Sequence, residues 1–241
     1  MISALAVLYG LRQSFAASAD LAAGWWLMGV ICGYTLLLAG AALVIIRVCR
    51  VWDDARMILL VLVLLFLALS VSFDQIALAD PLAGARFLLM GLAFSVAVTE
   101  ALLLTAGMRL PLFYRAAYYG MLALLFAYPA ALGWLSLHGQ NQKLAWGVFL
   151  FPWLAAVAHL TLLPAARWGN RMRFGNGTPW SWPLYPWSLF VFLWIAFALR
   201  TYSLTYTFEA PAGMLASFQP HFLAPLVLAA GALLMEIGLA T

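Results

Sequence analysis

Charged side chains are scarce in this 241-residue sequence. Only 8% of the residues are Asp, Glu, Lys or Arg, whereas soluble globular domains carry about 25%. Hydrophobic residues make up 67%, and the mean hydropathy is +1.02. A soluble globule of this composition would expose large apolar patches, so that class of protein is excluded. The chain is expected to lie in a lipid bilayer.

Other shortages narrow the class further. The two cysteines, Cys32 and Cys49, are separated by about 25 Å of helix, so they cannot form a disulfide. The single lysine, Lys143, excludes a retinal Schiff base in a last helix. The 12 basic residues are scattered along the chain, so nucleic acid is not an expected partner.

Familiar catalytic patterns are also missing. The sequence has no His-Glu-x-x-His, no Gly-x-Ser-x-Gly and no glycine-rich phosphate loop with a lysine. His138 and His221 are far apart and share no ligand spacing, so we predict no metal, haem or other cofactor. An enzyme is not favoured. A membrane enzyme using Asp53 and Asp54 stays open, but capping of the helix that follows explains these carboxylates more simply.

Long apolar runs dominate the sequence instead. Runs that reach the roughly 20 residues needed to cross about 30 Å of hydrocarbon predict an all-α, polytopic membrane bundle of seven transmembrane helices. The predicted spans 1 to 7 cover residues 24–46, 57–73, 87–107, 116–135, 145–163, 184–207 and 222–240. Residues 1–23 hold an apolar stretch too short to span, which predicts an interfacial segment.

The basic residues predict the orientation, because cytoplasmic loops retain Lys and Arg. The loops after spans 1, 3 and 5 hold eight of these residues, and the remaining loops with the N-terminus hold four. The eight are Arg47, Arg50, Arg56, Arg109, Arg115, Arg167, Arg171 and Arg173. We expect a multi-pass protein of the cell inner membrane with the N-terminus outside and the C-terminus in the cytoplasm.

The apolar run of the sixth span, residues 186–199, is only about 21 Å long as a helix. If the helix continues through Arg200, the guanidinium lies about 10 Å below the outer surface and needs a carboxylate. Asp74 is nearest in depth, which predicts a structural ion pair between Asp74 and Arg200. The alternative is a short tilted helix that ends at Arg200, followed by a strand-like loop over residues 202–208.

A faint internal repeat relates the two halves of the chain. Phe73-Asp74, Phe87-Leu88 and Glu100 follow one another in the first half as Phe208-Glu209, Phe222-Leu223 and Glu236 do in the second. These matches predict a parallel repeat with residues 24–107 and 145–241 as three-helix halves and residues 108–144 as the linker helix. The alternative is coincidence among abundant Leu, Ala, Phe and Gly.

This three-plus-one-plus-three plan resembles that of the SWEET and PQ-loop transporters in its span count and its outside N-terminus. A parallel repeat of this kind implies a site between the halves. The Pro-Gln pair of that family is absent, since no glutamine in this sequence follows a proline.

Three ionisable residues, Glu100, His159 and Glu236, lie inside spans that run in the same direction. We expect them at a common depth about 20 Å below the outer face. A carboxylate at this depth is costly unless it is protonated, paired or hydrated, so the three predict a site for a proton or a cationic ligand. The alternative is structural anchoring, with Glu100 paired to Arg109 or Arg115.

The sequence therefore favours small-solute or proton-coupled transport, or membrane sensing. Its expected partners are the lipid bilayer and a small molecule or proton. The alternative is a non-catalytic scaffold subunit, or the N-terminal membrane module of a larger protein, that binds further membrane subunits. The short distance between span 7 and Thr241 fits that alternative.

Overall fold

The computed structural model describes residues 21–50, 52–138, 141–169, 185–208 and 219–240, and every regular element in those ranges is helical. Seven of these helices are long and apolar enough to cross a membrane. They run over Ala22–Cys49, Met57–Ala79, Pro81–Ala106, Leu112–Leu137, Gln142–Arg167, Trp187–Thr207 and Pro220–Leu239, and are spans 1 to 7 below. The prediction of an all-α chain with seven helices long and apolar enough to span a membrane is confirmed.

Four spans combine helical segments. Span 1 is an α-helix over Leu21–Val44 that continues as a π-helix over Ile45–Cys49. Span 2 joins Trp52–Val71 to the short helix Asp74–Ala79, span 5 joins Asn141–Leu160 to Leu163–Gly169, and span 7 joins the 3₁₀ turn Pro220–Leu223 to Ala224–Ala240. The predicted interfacial segment, residues 1–23, lies outside the described residues except for its last three.

Span 3 begins six residues earlier than the sequence analysis predicts. The Asp80 carboxylate accepts hydrogen bonds from the backbone N–H groups of Leu82 and Ala83, both at 3.0 Å, and Pro81 occupies the first helical turn. An acidic N-cap followed by proline is a strong helix start. The charges of Asp80 and Arg86 interrupt the apolar run, so the hydropathy pattern placed the start of the span after Arg86. Span 3 ends at Ala106, so Glu100 lies about 9 Å before its far end.

Span 6 continues as one α-helix through Arg200 to Thr207. The alternative, a helix ending at Arg200 followed by a strand-like loop, is therefore wrong. The continuation places Arg200 inside the bundle on a face that also buries Phe197, Thr201 and Leu204. That face lies between span 2 and span 5.

The short helix Asp74–Ala79 is wedged against spans 3 and 4. A Cβ atom added at Gly84 or at Gly133 would overlap the backbone of Ala77, so both close approaches require glycine. This contact fixes the position of Asp74 at the beginning of the short helix.

The helix pairings within the two halves correspond. Span 1 packs on spans 2 and 3, and span 5 packs on spans 6 and 7. Span 4 contacts both halves, and the halves also meet directly where span 2 packs on span 6. One end of the bundle, called the arginine-rich end below, carries Arg47, Arg50, Arg109, Arg115 and Arg167.

Candidate functional site

Asp74 and Arg200 form a buried, two-pronged ion pair between span 2 and span 6. Nη1 of Arg200 lies 2.5 Å from Oδ2 of Asp74, and Nη2 lies 2.7 Å from Oδ1. The Arg200 side chain is 0% exposed and the Asp74 side chain 1%. Asp74 also stands in the first turn of its helix, where the helix dipole favours a negative charge. The structure thus brings together the two residues that the sequence analysis pairs.

Arg200 has further polar contacts beside this pair. Nη1 donates to Oγ of Ser203 at 3.2 Å, while Nε is buried and finds no acceptor among the described residues. A buried N–H without an acceptor costs free energy, so the guanidinium is held here in spite of an incomplete hydrogen-bond shell. The Asp74 carboxylate is what makes this position tolerable for a cation.

Glu100 is bound by span 4. Nε of Arg115 donates to Oε1 of Glu100 at 3.0 Å, Nη2 of Arg115 binds Oε2, and the Tyr119 hydroxyl donates to Oε1. The Glu100 side chain is 27% exposed and that of Arg115 is 44% exposed. Of the two arginines proposed for the anchoring alternative, Arg115 is the one in contact.

Glu236 is bound by span 5 in a similar way. Nε of Arg167 donates to Oε2 of Glu236 at 2.9 Å, and Nη2 donates to Oε1 at 2.7 Å. The pair is partly exposed and closes the arginine-rich end between spans 5 and 7. Glu236 lies only about 4.5 Å before the end of span 7.

His159 is the buried member of the predicted triad. Nδ1 lies 2.8 Å from the Ala155 carbonyl oxygen, and because a carbonyl can only accept, Nδ1 carries the proton. Nε2 is then an acceptor, and it is buried with no hydrogen-bond partner in the part of the chain that the structure describes. The ring meets Phe197 of span 6 edge-on, with centroids 5.4 Å apart.

Glu100, His159 and Glu236 do not share a common contact. Each glutamate uses both oxygens on its own arginine, and no three His, Cys, Asp or Glu side chains in the described ranges converge closely enough to hold a metal ion. Span 3 packs chiefly on spans 1, 2 and 4, whereas span 7 packs chiefly on span 5. The expected common depth also shifts, since both glutamates lie nearer the arginine-rich end than His159 does.

Spans 1 and 3, and likewise spans 5 and 7, are joined by one arginine contact and one aromatic contact. At the arginine-rich end, Nε of Arg47 in span 1 donates to the Thr105 carbonyl of span 3 at 3.0 Å, and Arg167 in span 5 reaches Glu236 of span 7. At the other end, Trp25 of span 1 meets Phe87 of span 3 with ring centroids 5.0 Å apart. Phe149 of span 5 meets Phe222 of span 7 in the same T-shaped manner at 5.7 Å.

Sequence reasoning did not find the partners Tyr119 and Thr105. Tyr119 is neutral and Thr105 contributes a backbone carbonyl, so neither leaves a charge signal in an apolar run. The one available signal was spacing, because Arg115 and Tyr119 are four residues apart and so share a helix face.

The described part of the chain is that of an integral membrane protein by helix length and composition. Three ion pairs join its described side chains to one another, one buried and two partly exposed. No family model, no curated protein and no solved structure matches the chain.

Proposed function

We propose that this chain is a proton-responsive membrane protein that transports or senses a small solute, and that Glu100, His159 and Glu236 are its titrating groups. The observation that carries the proposal is the pair of glutamate–arginine bridges at the arginine-rich end. Each bridge joins two different spans, and each contains a carboxylate that is about one quarter exposed and therefore accessible to protons. Ionisable residues inside spans are associated with proton and ion pathways.

Protonation would act on these bridges directly. A neutral Glu100 loses its charge-assisted hydrogen bonds to Arg115, which weakens the contact between spans 3 and 4. A neutral Glu236 likewise releases Arg167, which weakens the contact between spans 5 and 7. The arginine-rich end then loosens while Asp74 and Arg200 still hold span 2 to span 6.

His159 supplies a second kind of proton acceptor. Its Nε2, which has no partner among the described residues, is buried in span 5 about 12 Å before the end of the span that carries Arg167. A proton or a ligand hydroxyl that reaches this nitrogen would satisfy a buried acceptor, which is a favourable exchange. In this proposal, His159 is the buried proton acceptor and the two glutamates are the partly exposed ones.

The recurring contacts of the two halves support an arrangement of two parallel three-helix units around span 4. The pairs Arg47–Thr105 and Arg167–Glu236 close the same end of each half, and the aromatic pairs close the other. Transporters built from such repeats bind substrate between the halves and alternate by moving one half against the other. The predicted location is the cell inner membrane, with the N-terminus outside.

The test is proton flux in liposomes. Purified protein is reconstituted around a pH-sensitive dye, and an external pH step is applied. Glu100→Gln and Glu236→Gln are each expected to abolish the pH dependence of proton release or solute uptake while leaving the folded protein intact. Asp80→Asn is the matched control, because it neutralises an exposed carboxylate at the other end and asparagine caps a helix equally well.

The second candidate function is that of a non-catalytic scaffold subunit or membrane module, and a specific observation favours it. Both glutamate bridges are explained by anchoring of neighbouring helices alone, since each carboxylate is already fully used by its arginine. If both glutamine variants behave like the parent protein, the bridges are structural. Co-purification of further membrane subunits with the parent protein would then support a scaffold or membrane module.

A further inference from the structure

A cavity of about 60 Å³ lies between spans 2, 3, 4 and 6 near the arginine-rich end. Its inner wall is buried and is formed by side chains that include Leu62, Phe66, Leu102 and Tyr118. Its rim is partly exposed and includes Leu103, Met108, Leu110, Tyr185 and Leu189. The cavity therefore has a closed apolar interior and a rim at the end of the bundle.

The hydroxyl groups of Thr99 and Tyr118 on the cavity wall donate their hydrogen bonds to other protein groups. Thr99 Oγ1 donates to the Ser95 carbonyl at 2.8 Å, so the 3.1 Å contact between Thr99 and Tyr118 is one in which Tyr118 donates. The remaining lining is almost wholly apolar. Apolar cavities do not hold water well, so the natural occupant is hydrocarbon.

The rim carries one cation that is free to bind an anion. Arg109 lies between the rim residues Met108 and Leu110, its side chain is exposed, and within the described ranges its guanidinium has no hydrogen bond or ion pair. By contrast, Arg47, Arg115 and Arg167 are all engaged by acceptors. A guanidinium binds phosphate through two parallel N–H donors.

Tyr185 holds this part of the rim in place. Its hydroxyl donates to the Arg109 carbonyl oxygen at 2.9 Å. Burial raises the pKa of Tyr185 to about 12, so the phenol stays protonated and keeps donating at physiological pH. The backbone of Arg109 is thereby held beside the cavity, while its side chain is exposed.

We propose that this cavity is a site for an anionic phospholipid, with the end of an acyl chain inserted between the spans and the phosphate bound by Arg109. Inside a membrane, moving an acyl chain from lipid into the cavity gains no hydrophobic free energy, because the surrounding lipid is equally apolar. Recognition must therefore come from the charge at the rim, and this selects an anionic headgroup over a zwitterionic one.

The experiment uses the full chain in lipid nanodiscs. Phosphatidylglycerol and phosphatidylcholine, each with the same photoreactive group at the acyl-chain end, are crosslinked to the protein, and the labelled peptides are identified by mass spectrometry. Phosphatidylglycerol is expected to label peptides that contain Leu102 or Tyr118. Arg109→Gln should reduce this labelling at least about tenfold, since one charge-assisted contact is lost. Arg86→Gln, an exposed arginine at the other end, should leave it unchanged.

Two further arms keep the proposal falsifiable. Leu102→Phe fills the cavity and should abolish chain-end labelling, and if that variant fails to fold, the Arg109→Gln result decides alone. Equal labelling by the two lipids overturns the proposal. So does full competition by glycerol phosphate, because that result would mean that the rim binds free phosphate without a chain.

Discussion

Asp74→Asn is expected to destabilise the folded protein strongly, because it leaves a buried guanidinium without its counter-charge. The structure gives two hydrogen bonds, at 2.5 and 2.7 Å, between side chains that are 0% and 1% exposed. Hydrogen bonds to charged groups contribute about 1.5–3 kcal/mol each. Removing one partner of a buried pair costs about 3–5 kcal/mol, and the same figure applies here.

The measurement is unfolding in mixed micelles at increasing denaturing detergent, followed by circular dichroism. Arg200→Met in the Asp74→Asn background removes the orphaned charge, so the double variant should recover most of the lost stability. The coupling free energy of the double-mutant cycle should then exceed about 1.5 kcal/mol. Arg86→Gln serves as the control for loss of an exposed arginine. A stabilising role for the buried pair is refuted if the free energy of unfolding of Asp74→Asn lies within about 0.5 kcal/mol of that of the parent. It is also refuted if the effects of the two substitutions on this free energy are additive, because the buried pair then does not stabilise the contact between spans 2 and 6.

Two further predictions concern packing and orientation. Gly133→Leu should cost about 1–3 kcal/mol, because its side chain would overlap the backbone of Ala77, whereas Gly120→Leu has open space and should cost little. Equal unfolding midpoints for these two variants would contradict the wedge. In a Cys32→Ala background, the exposed Cys49 at the arginine-rich end should react with a membrane-impermeant maleimide only from the cytoplasmic side. Labelling of intact cells from outside would reverse the predicted orientation.

The number of spans could be read from the sequence because the thickness of the hydrocarbon sets the length of an apolar run. The pairing of Asp74 with Arg200 could also be anticipated. A charged side chain inside a span is expensive, so an arginine that cannot reach the surface requires a carboxylate at its own depth. Depth along a helix follows directly from residue count.

The direction in which each side chain points could not be read in the same way. Spans 3, 5 and 7 are apolar on nearly all sides, so their sequences give no period that fixes which face meets which neighbour. For that reason Glu100 and Glu236 could be assigned similar depths, but not their separate arginine partners. The start of span 3 was missed because the charges of Asp80 and Arg86 interrupt the apolar run, although the position of Asp80 before Pro81 is a capping signal.

The wedge formed by Asp74–Ala79 determines how this bundle can come apart. Ala77 packs closely against Gly84 of span 3 and Gly133 of span 4, so Asp74 on the same short helix moves together with these two spans. Arg200 instead moves with span 6. The boundary between spans 3 and 4 on one side and span 6 on the other is therefore crossed by the Asp74–Arg200 ion pair. Separation along this boundary would leave two opposite charges unpaired in an apolar environment, so the ion pair opposes the separation of span 6 from spans 3 and 4.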